Sequence, residues 1–207
     1  MKIKSMPLGP LGTNCFILYK EQEALIVDPG GDASQVVSFL NREQLRPKAI
    51  LLTHAHFDHI GAVEELRNYY QLDVYLHELE KEWLTDPTLN GSRSFIGEEI
   101  STNGPDKFFE PGTLSIAKFS CEILHTPGHS PGSVSIVFEE DSLVVSGDAL
   151  FHSGIGRTDL PGGDFKQLED SIKQQLYSLP DHFEVYPGHG PQTSIGAEKR
   201  HNPFIKA

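Results

Sequence analysis

Ten histidines stand among the 207 residues, and their placement decides what chemistry is open to the chain. His54, His56 and His59 share the short run Thr53-His54-Ala55-His56-Phe57-Asp58-His59 with Asp58. Ionisable groups this dense behind an apolar strand must be hydrated, paired or bound to metal. Imidazole is a ligand suited to zinc, iron, nickel or copper. In extended backbone the His54-x-His56 alternation points two rings to one side. Asp58-His59 then turn into a helix and face a second position, so one cluster can serve two metals. The plainer alternative is a solvated helix start with Asp58 as its cap. It suits a lone histidine better than four ligand-type side chains in one turn.

Three further segments carry similar residues: Thr126-Pro127-Gly128-His129, Ser146-Gly147-Asp148-Ala149-Leu150 and Pro187-Gly188-His189-Gly190. Taken alone, His129 sits in a stretch that suits any turn, and Asp148 reads as a turn carboxylate. His189, between two glycines, marks a close backbone approach. Each segment follows an expected strand or lies between a strand and a turn, where scaffolds place functional side chains. Together the four supply complete ligand shells.

The elements that must position them can be read in turn. Short strands are expected at Met1–Met6, Phe16–Tyr19 and Ala24–Val27, closed by the breaker Asp28-Pro29-Gly30-Gly31. Val36, Val37, Leu40 and Leu45 predict a helix over about Ser34–Leu45, with Pro47 marking its end. Ala49–Thr53 reads as a strand buried on both faces, with His54 to His59 just past its C-terminal end. A helix over about Ile60–Tyr70 and a strand at Asp73–Leu76 follow. Residues 86–105 lack periodicity and read as a loop; whether 92–104 form a lid is left open. Strands are expected at Leu114–Ile116, Cys121–Leu124, Ser133–Phe138 and Leu143–Ser146, with Glu139-Glu140-Asp141-Ser142 turning the last pair. Asp164 is a fitting N-cap, with Gln167 placed for a capping box, for a helix carrying Leu168, Ile172 and Leu176. Phe183–Tyr186 is the final strand. Each half reads as strands followed by helices, without repeat or linker. That predicts an α+β fold, a four-layer αββα sandwich made by residues 1–207 as one domain.

Composition removes whole function classes. Seventeen basic residues stand against 29 acidic ones, a net charge of −12. That argues against a nucleic-acid binder, whose affinity comes from neutralising phosphates, and against docking on anionic lipid. No apolar run approaches the ~20 residues of a membrane span. Pro7, Gly9, Pro10, Gly12 and Asn14 break up the N-terminal stretch and leave no signal-peptide core. Cys15 and Cys121 read as two free thiols in a reducing compartment, so a cytoplasmic protein is expected.

The order His-x-His-x-Asp-His, His, Asp, His resembles the metallo-β-lactamase fold superfamily. The resemblance runs from Leu8-Gly9-Pro10-Leu11-Gly12-Thr13-Asn14-Cys15 through His189. The stretches His125-Thr126-Pro127-Gly128-His129-Ser130-Pro131-Gly132, Gly147-Asp148-Ala149-Leu150-Phe151 and Gly156-Arg157-Thr158-Asp159 are similar to its small, single-domain glyoxalase II-like branch, the hydroxyacylglutathione hydrolase-like enzymes. The resemblance implies that His54, His56 and His129 hold a first metal. It implies that Asp58, His59 and His189 hold a second, and that Asp148 bridges both. The ions would be two divalent metals, zinc first, with iron or manganese accepted in the family. His77, His125, His152, His182 and His201 have no place in the pattern, and His152 is the one expected nearest the site. Arg157 falls where the family places a basic substrate contact, and its guanidinium could hold a substrate carboxylate. The plainer reading is an ion-paired surface arginine. Glyoxalase II proper has a C-terminal helical extension that helps grip glutathione; this chain ends soon after His189 and is expected to lack it.

The activity implied is hydrolysis of a small acyl thioester such as S-D-lactoylglutathione. Two divalent metals ~3.5–4 Å apart share one water and lower its pKa toward ~7, giving a bridging hydroxide as nucleophile. Asp58 would orient it, and the first metal would polarise the carbonyl. The alternative is a persulfide dioxygenase of the same fold. There a single iron would use His54, His129 and Asp148. A lactonase keeps the same ligands and is a further alternative, whereas a β-lactamase would not normally keep Asp148. A non-enzymatic metal-stabilised module predicts closed coordination with no open position. The thiol carrier, the metal count and the oligomeric state are not legible in the sequence.

Overall fold

Strand-forming residues open the chain as a meander. β1 (Lys2–Leu8), β2 (Thr13–Lys20) and β3 (Glu23–Val27) pair antiparallel. β4 (Arg46–Leu51), β5 (Asp73–Leu76) and β6 (Lys107–Phe108) join in parallel, giving one sheet in the order β1-β2-β3-β4-β5-β6. The computed structural model describes residues 1–110 and 112–207. They fall into two compact units, Met1–Phe109 with Ser115–Phe119 and Glu110–Leu114 with Ser120–Ala207.

In the first unit the crossovers between parallel strands carry helices, as parallel pairing requires. α1 (Ala33–Arg42) lies between β3 and β4, and α2 (Phe57–Ile60) and α3 (Val63–Tyr70) lie between β4 and β5. Val36 and Leu40 of α1 join Val63 and Leu66 of α3, with Ile26, Ile50 and Val74 of the strands, in one buried core. α1 stops three residues before the expected Leu45. Gln44 turns left-handed at φ 55°, Leu45 N–H donates to the Leu40 carbonyl at 2.8 Å and Gln44 N–H to that of Asn41 at 3.1 Å. This is a Schellman closure, and it folds the apolar Leu45 back on the helix. The helix expected over 60–70 is split at Gly61. A Cβ there would lie 2.4 Å from the Gly30 carbonyl oxygen, and Ala62 N–H donates to the Pro29 carbonyl instead. The strand expected at 49–53 runs from Arg46 and ends at Leu51, because the N–H of Thr53 goes to the Asp28 carboxylate. Within the loop 86–105 there is one helical turn, α4 (Ser92–Phe95).

The second sheet has β7 (Gly112–Ile116), β8 (Phe119–His125), β9 (Val134–Phe138) and β10 (Leu143–Gly147). A small hairpin follows, β11 (Leu150–Phe151) with β12 (Gly154–Ile155). α5 (Phe165–Ser171) continues into wider turns over Ile172–Leu176, then come β13 (Glu184–Pro187), β14 (Thr193–Ser194) and α6 (Ile195–His201). The sheet order is β14-β13-β10-β9-β8-β7. Every residue of β9 and β10 is buried, so neither shows alternation. Leu168, Ile172 and Leu176 pack with Val144 and Val185 in the core of this unit. Asp164 caps α5 as expected, accepting the Gln167 N–H at 2.9 Å. α6 was not anticipated; it is too short to show a period, and its cap is Ser194, which accepts the Ala197 N–H. Among the described residues no helix is long and apolar enough to cross a membrane.

Candidate metal centre

Residues leaving the C-terminal ends of parallel strands share one sheet edge. In the first unit β3 delivers Asp28 there and β4 delivers Thr53 and His54. Asp28 is fully buried. Its Oδ1 accepts the Thr53 N–H at 2.7 Å and its Oδ2 accepts the Thr53 hydroxyl at 2.6 Å. The same Oδ2 lies 3.0 Å from His59 Nδ1, and His54 Nδ1 lies 3.1 Å from the Thr53 hydroxyl oxygen. A carboxylate only accepts, so the protons are ordered. His59 Nδ1–H and Thr53 O–H both donate to Asp28, and His54 Nδ1–H donates to the Thr53 oxygen. Both rings are left with an unprotonated Nε2, the nitrogen able to ligate a metal.

His54 lies at the centre of the cluster. Its ring centroid is 4.8 Å from that of His56, at 88°, and 4.0 Å from that of His59. His56 also packs on Trp83, with centroids 5.5 Å apart. Asp58 Oδ2 accepts the Thr13 hydroxyl at 2.6 Å and lies 3.6 Å from His59 Nε2. Gly30 lets the chain pass beneath: a Cβ there would sit 1.9 Å from the Asp58 carbonyl oxygen.

In the second unit β8 and β10 flank β9 antiparallel and β13 runs parallel to β10, so the ends of β8, β10 and β13 share an edge. His129, Asp148 and His189 follow these three strands. Nε2 of His129 and Nε2 of His189 each lie 3.6 Å from Asp148 Oδ2. His129 Nδ1 is 2.8 Å from the Arg157 carbonyl oxygen and donates to it. This contact depends on Gly156, where a Cβ would sit 1.8 Å from the Asp148 carbonyl oxygen and 3.1 Å from His129 Nδ1. Gly128, at φ 126°, brings the His129 turn against α5, and its carbonyl accepts the Asp164 N–H at 2.8 Å.

Both donor sets suit a divalent transition metal. They consist of imidazole nitrogens and carboxylate oxygens, all buried except His189, whose side chain is 29% exposed. The rear nitrogens of His59 and His129 are held by a carboxylate and a carbonyl, as is usual for metal-ligating histidine. The structure brings His54, His56, Asp58 and His59 together in one unit, and His129, Asp148 and His189 in the other.

Arg157 is exposed, and its guanidinium forms a two-point pair with Asp159 at 2.7 and 2.8 Å. That pair holds the Asp159 carboxyl down at about 2. The remaining histidines lie elsewhere. His125 Nε2 contacts the Pro131 carbonyl, His77 caps the turn at 78–80, His182 packs on Phe183, and His152 and His201 are exposed. Cys15 and Cys121 are buried free thiols; burial pushes the Cys121 thiol up to about 12 and that of Cys15 further still.

Asp28, Trp83 and the Arg157 carbonyl were not anticipated as partners of the histidines, nor Thr13 as the partner of Asp58. Asp28 carried a signal, a carboxylate at the end of an apolar strand like Asp148, but its Pro-Gly-Gly context reads first as a breaker. A backbone carbonyl carries no sequence signal.

Comparison with known proteins bears on these sets. Residues 8–189 match the Metallo-beta-lactamase superfamily. The Probable metallo-hydrolase YqgX of Bacillus subtilis is 48% identical, over 99% of this chain and 98% of its own length. The Hydroxyacylglutathione hydrolase GloC of Haemophilus influenzae is 36% identical, over 100% of this chain and 99% of its own. The crystal structure of the BLEG-1 B3 metallo-beta-lactamase superposes with a TM-score of 0.98 at 49% identity, covering 100% of both chains. That of TTHA1623 in a di-iron-bound form superposes with a TM-score of 0.88 at 39% identity, covering 98% of this chain and 100% of that one.

Proposed function

Because the chain belongs to the metallo-β-lactamase superfamily, whose α+β fold it has and whose members bind divalent metal ions, we propose that its two donor sets serve one binuclear centre that hydrolyses a small acyl thioester. The chain is a metallo-hydrolase of this superfamily; the thioester is our reading. The observation that carries it is the completeness of the donor sets, with the rear nitrogens of His54, His59 and His129 already engaged by Thr53, Asp28 and the Arg157 carbonyl. The relative GloC, named for hydroxyacylglutathione, supports the substrate class.

In this reading His54, His56 and His129 would hold one ion, Asp58, His59 and His189 would hold the other, and Asp148 would serve both. When bound, the two ions supply a water that ionises near neutral pH and an electrophile for the carbonyl oxygen. Zinc is our first assignment; iron stays within it, since TTHA1623 is di-iron-bound, and manganese suits the same nitrogen and oxygen donors. Asp58, fixed by the Thr13 hydroxyl, accepts a hydrogen bond from the attacking water and aims it. Asp148 offsets the positive charge from the second sheet. A thiolate leaves readily at neutral pH, so the chain needs no acid for it. Arg157 grips an anionic end of the substrate by exchanging Asp159 for it. A small molecule as partner and a cytoplasmic setting belong to the same proposal.

Thiol release from S-D-lactoylglutathione by metal-replete protein is the test, with kcat/KM of about 10⁴ M⁻¹s⁻¹ or more expected. His56→Ala and Asp148→Ala should lose metal and activity and keep the fold. β-Lactam cleavage is the second reading, favoured by 49% identity to BLEG-1 over the whole chain. Turnover of a chromogenic cephalosporin with negligible thioester cleavage would move the assignment there.

A further inference from the structure

A buried carboxylate outside the seven donors lies against the ligand turn. Glu80 closes the helical turn Glu78–Glu80 that follows β5, is fully buried, and accepts the Ala55 N–H at 2.6 Å through Oε2. Ala55 stands between His54 and His56. Two residues on, Phe57 N–H donates to the Asn90 carbonyl at 3.0 Å. Residues 80 and 90 thus accept backbone N–H groups from the middle of the turn and from its end.

The same segment also holds the turn by packing. Trp83 N–H donates to the Glu80 carbonyl at 2.9 Å, and the Trp83 ring lies on His56. Asn90 is fully buried. Its amide donates to the carbonyls of Trp83 and Ile100 at 3.1 and 2.8 Å, and its Oδ1 accepts the Ser92 N–H at 3.0 Å. A carboxylate sealed from water is costly to keep, and a charge-assisted acceptor holds a backbone N–H more firmly than a neutral one. A sealed carboxylate on the amide between two ligands therefore points to a need for fixed ligand spacing.

We propose that Glu80 is a positioning residue for the metal centre. Through the Ala55 N–H it sets the spacing of His54 and His56, while Trp83 and Asn90 secure the far end of the turn. The inference rests on the seven-donor reading above.

Three variants test it. Glu80→Gln keeps an acceptor oxygen at the same reach. Glu80→Asp keeps the charge but draws it back by one methylene. Glu80→Ala removes both. Zinc affinity is read by competition with a chromophoric chelator, and ligand geometry by the absorption spectrum of the cobalt-loaded protein. Positioning predicts that the Asp and Ala variants lose about tenfold or more in zinc affinity, the usual cost of removing such a partner, while Gln stays near the wild type. The cobalt spectrum should shift in the same two variants. A role in charge balance alone reverses the order, with Asp like the wild type and Gln weakened, and overturns the proposal. A merely structural role lowers the unfolding temperature of the metal-free protein but leaves affinity and the cobalt spectrum unmoved, which overturns it too. If the Ala variant does not fold, the Gln and Asp pair still decides. A wild-type chain that takes up neither zinc nor cobalt refutes the seven-donor centre itself, an outcome read from the wild-type arm alone.

Discussion

Asp28→Asn separates the shape of a buried side chain from the proton order it imposes. The wild-type carboxylate collects Thr53 N–H at 2.7 Å, Thr53 O–H at 2.6 Å and His59 Nδ1–H at 3.0 Å. Asparagine has the same outline and tolerates the φ of 49° at this position. Its oxygen still accepts the Thr53 N–H. Its NH₂ replaces Oδ2 and faces two groups that donated there. The Thr53 hydroxyl must turn toward His54 Nδ1, 3.1 Å away, and His59 Nδ1 must become an acceptor. Each ring then carries its proton on Nε2, the nitrogen needed for metal. One mis-set partner costs about 10–100-fold in metal affinity, about 1.4–2.8 kcal/mol. Two rings are affected, so the upper end is expected. Folding stability should fall by only about 1 kcal/mol, because each polar atom keeps a partner. Chelator competition reads the affinity, and imidazole ¹⁵N shifts of the metal-free protein read the tautomers. Wild-type zinc affinity with unchanged His54 and His59 shifts would refute the proton order.

Other perturbations probe the second unit and the thiols. Gly156→Ala drives a Cβ to 1.8 Å from the Asp148 carbonyl oxygen, so it should cost at least the upper part of the about 1–3 kcal/mol typical of overpacking. Gly190→Ala meets nothing within 4 Å and carries only its φ of 76°, worth about 1–2 kcal/mol. Urea unfolding should rank them in that order, and equal losses would contradict the close approach at Gly156. The Arg157 pair holds the Asp159 carboxyl at about 2, below its unfolded value of about 3.9. Its stabilisation is therefore present above about pH 4 and fades as the pH falls toward 2. Full exposure keeps the effect small. Arg157→Ala should return the carboxyl to the ordinary range in an NMR titration; an unmoved midpoint would mean that the pair does not hold in solution. Cys15 and Cys121 should resist a thiol reagent at mildly alkaline pH until denaturant is added, since burial raises both thiols. Rapid labelling of the native protein would contradict their burial.

Much of the chemistry was local and therefore legible. His54, His56, Asp58 and His59 lie within one turn, and the apolar run before them marks the strand that buries them. Asp164 with Gln167 predicted a helix start because a cap is a contact over three residues. The turn at 139–142 likewise needed only its own residues, and Ser142 takes the left-handed conformation there. Helix ends were read less well. Nothing near Gly61 in sequence announces that the Gly30 backbone crosses there and splits the helix.

The sequence by itself determined the His and Asp side chains that gather in each unit, the strands that present them and the class of metal such side chains suit, because side-chain chemistry and hydrophobic period are written residue by residue. Tertiary structure alone decided which nitrogen His59 and His129 offer. That depends on Asp28, 31 residues before His59, and on the Arg157 carbonyl, 28 residues beyond His129. It also placed Glu80 on the amide between His54 and His56, 25 residues away along the chain. These contacts form only when strands distant in sequence share an edge. Hydrogen-bond direction across such an edge has no period and no motif, so the folded chain is where it can be read.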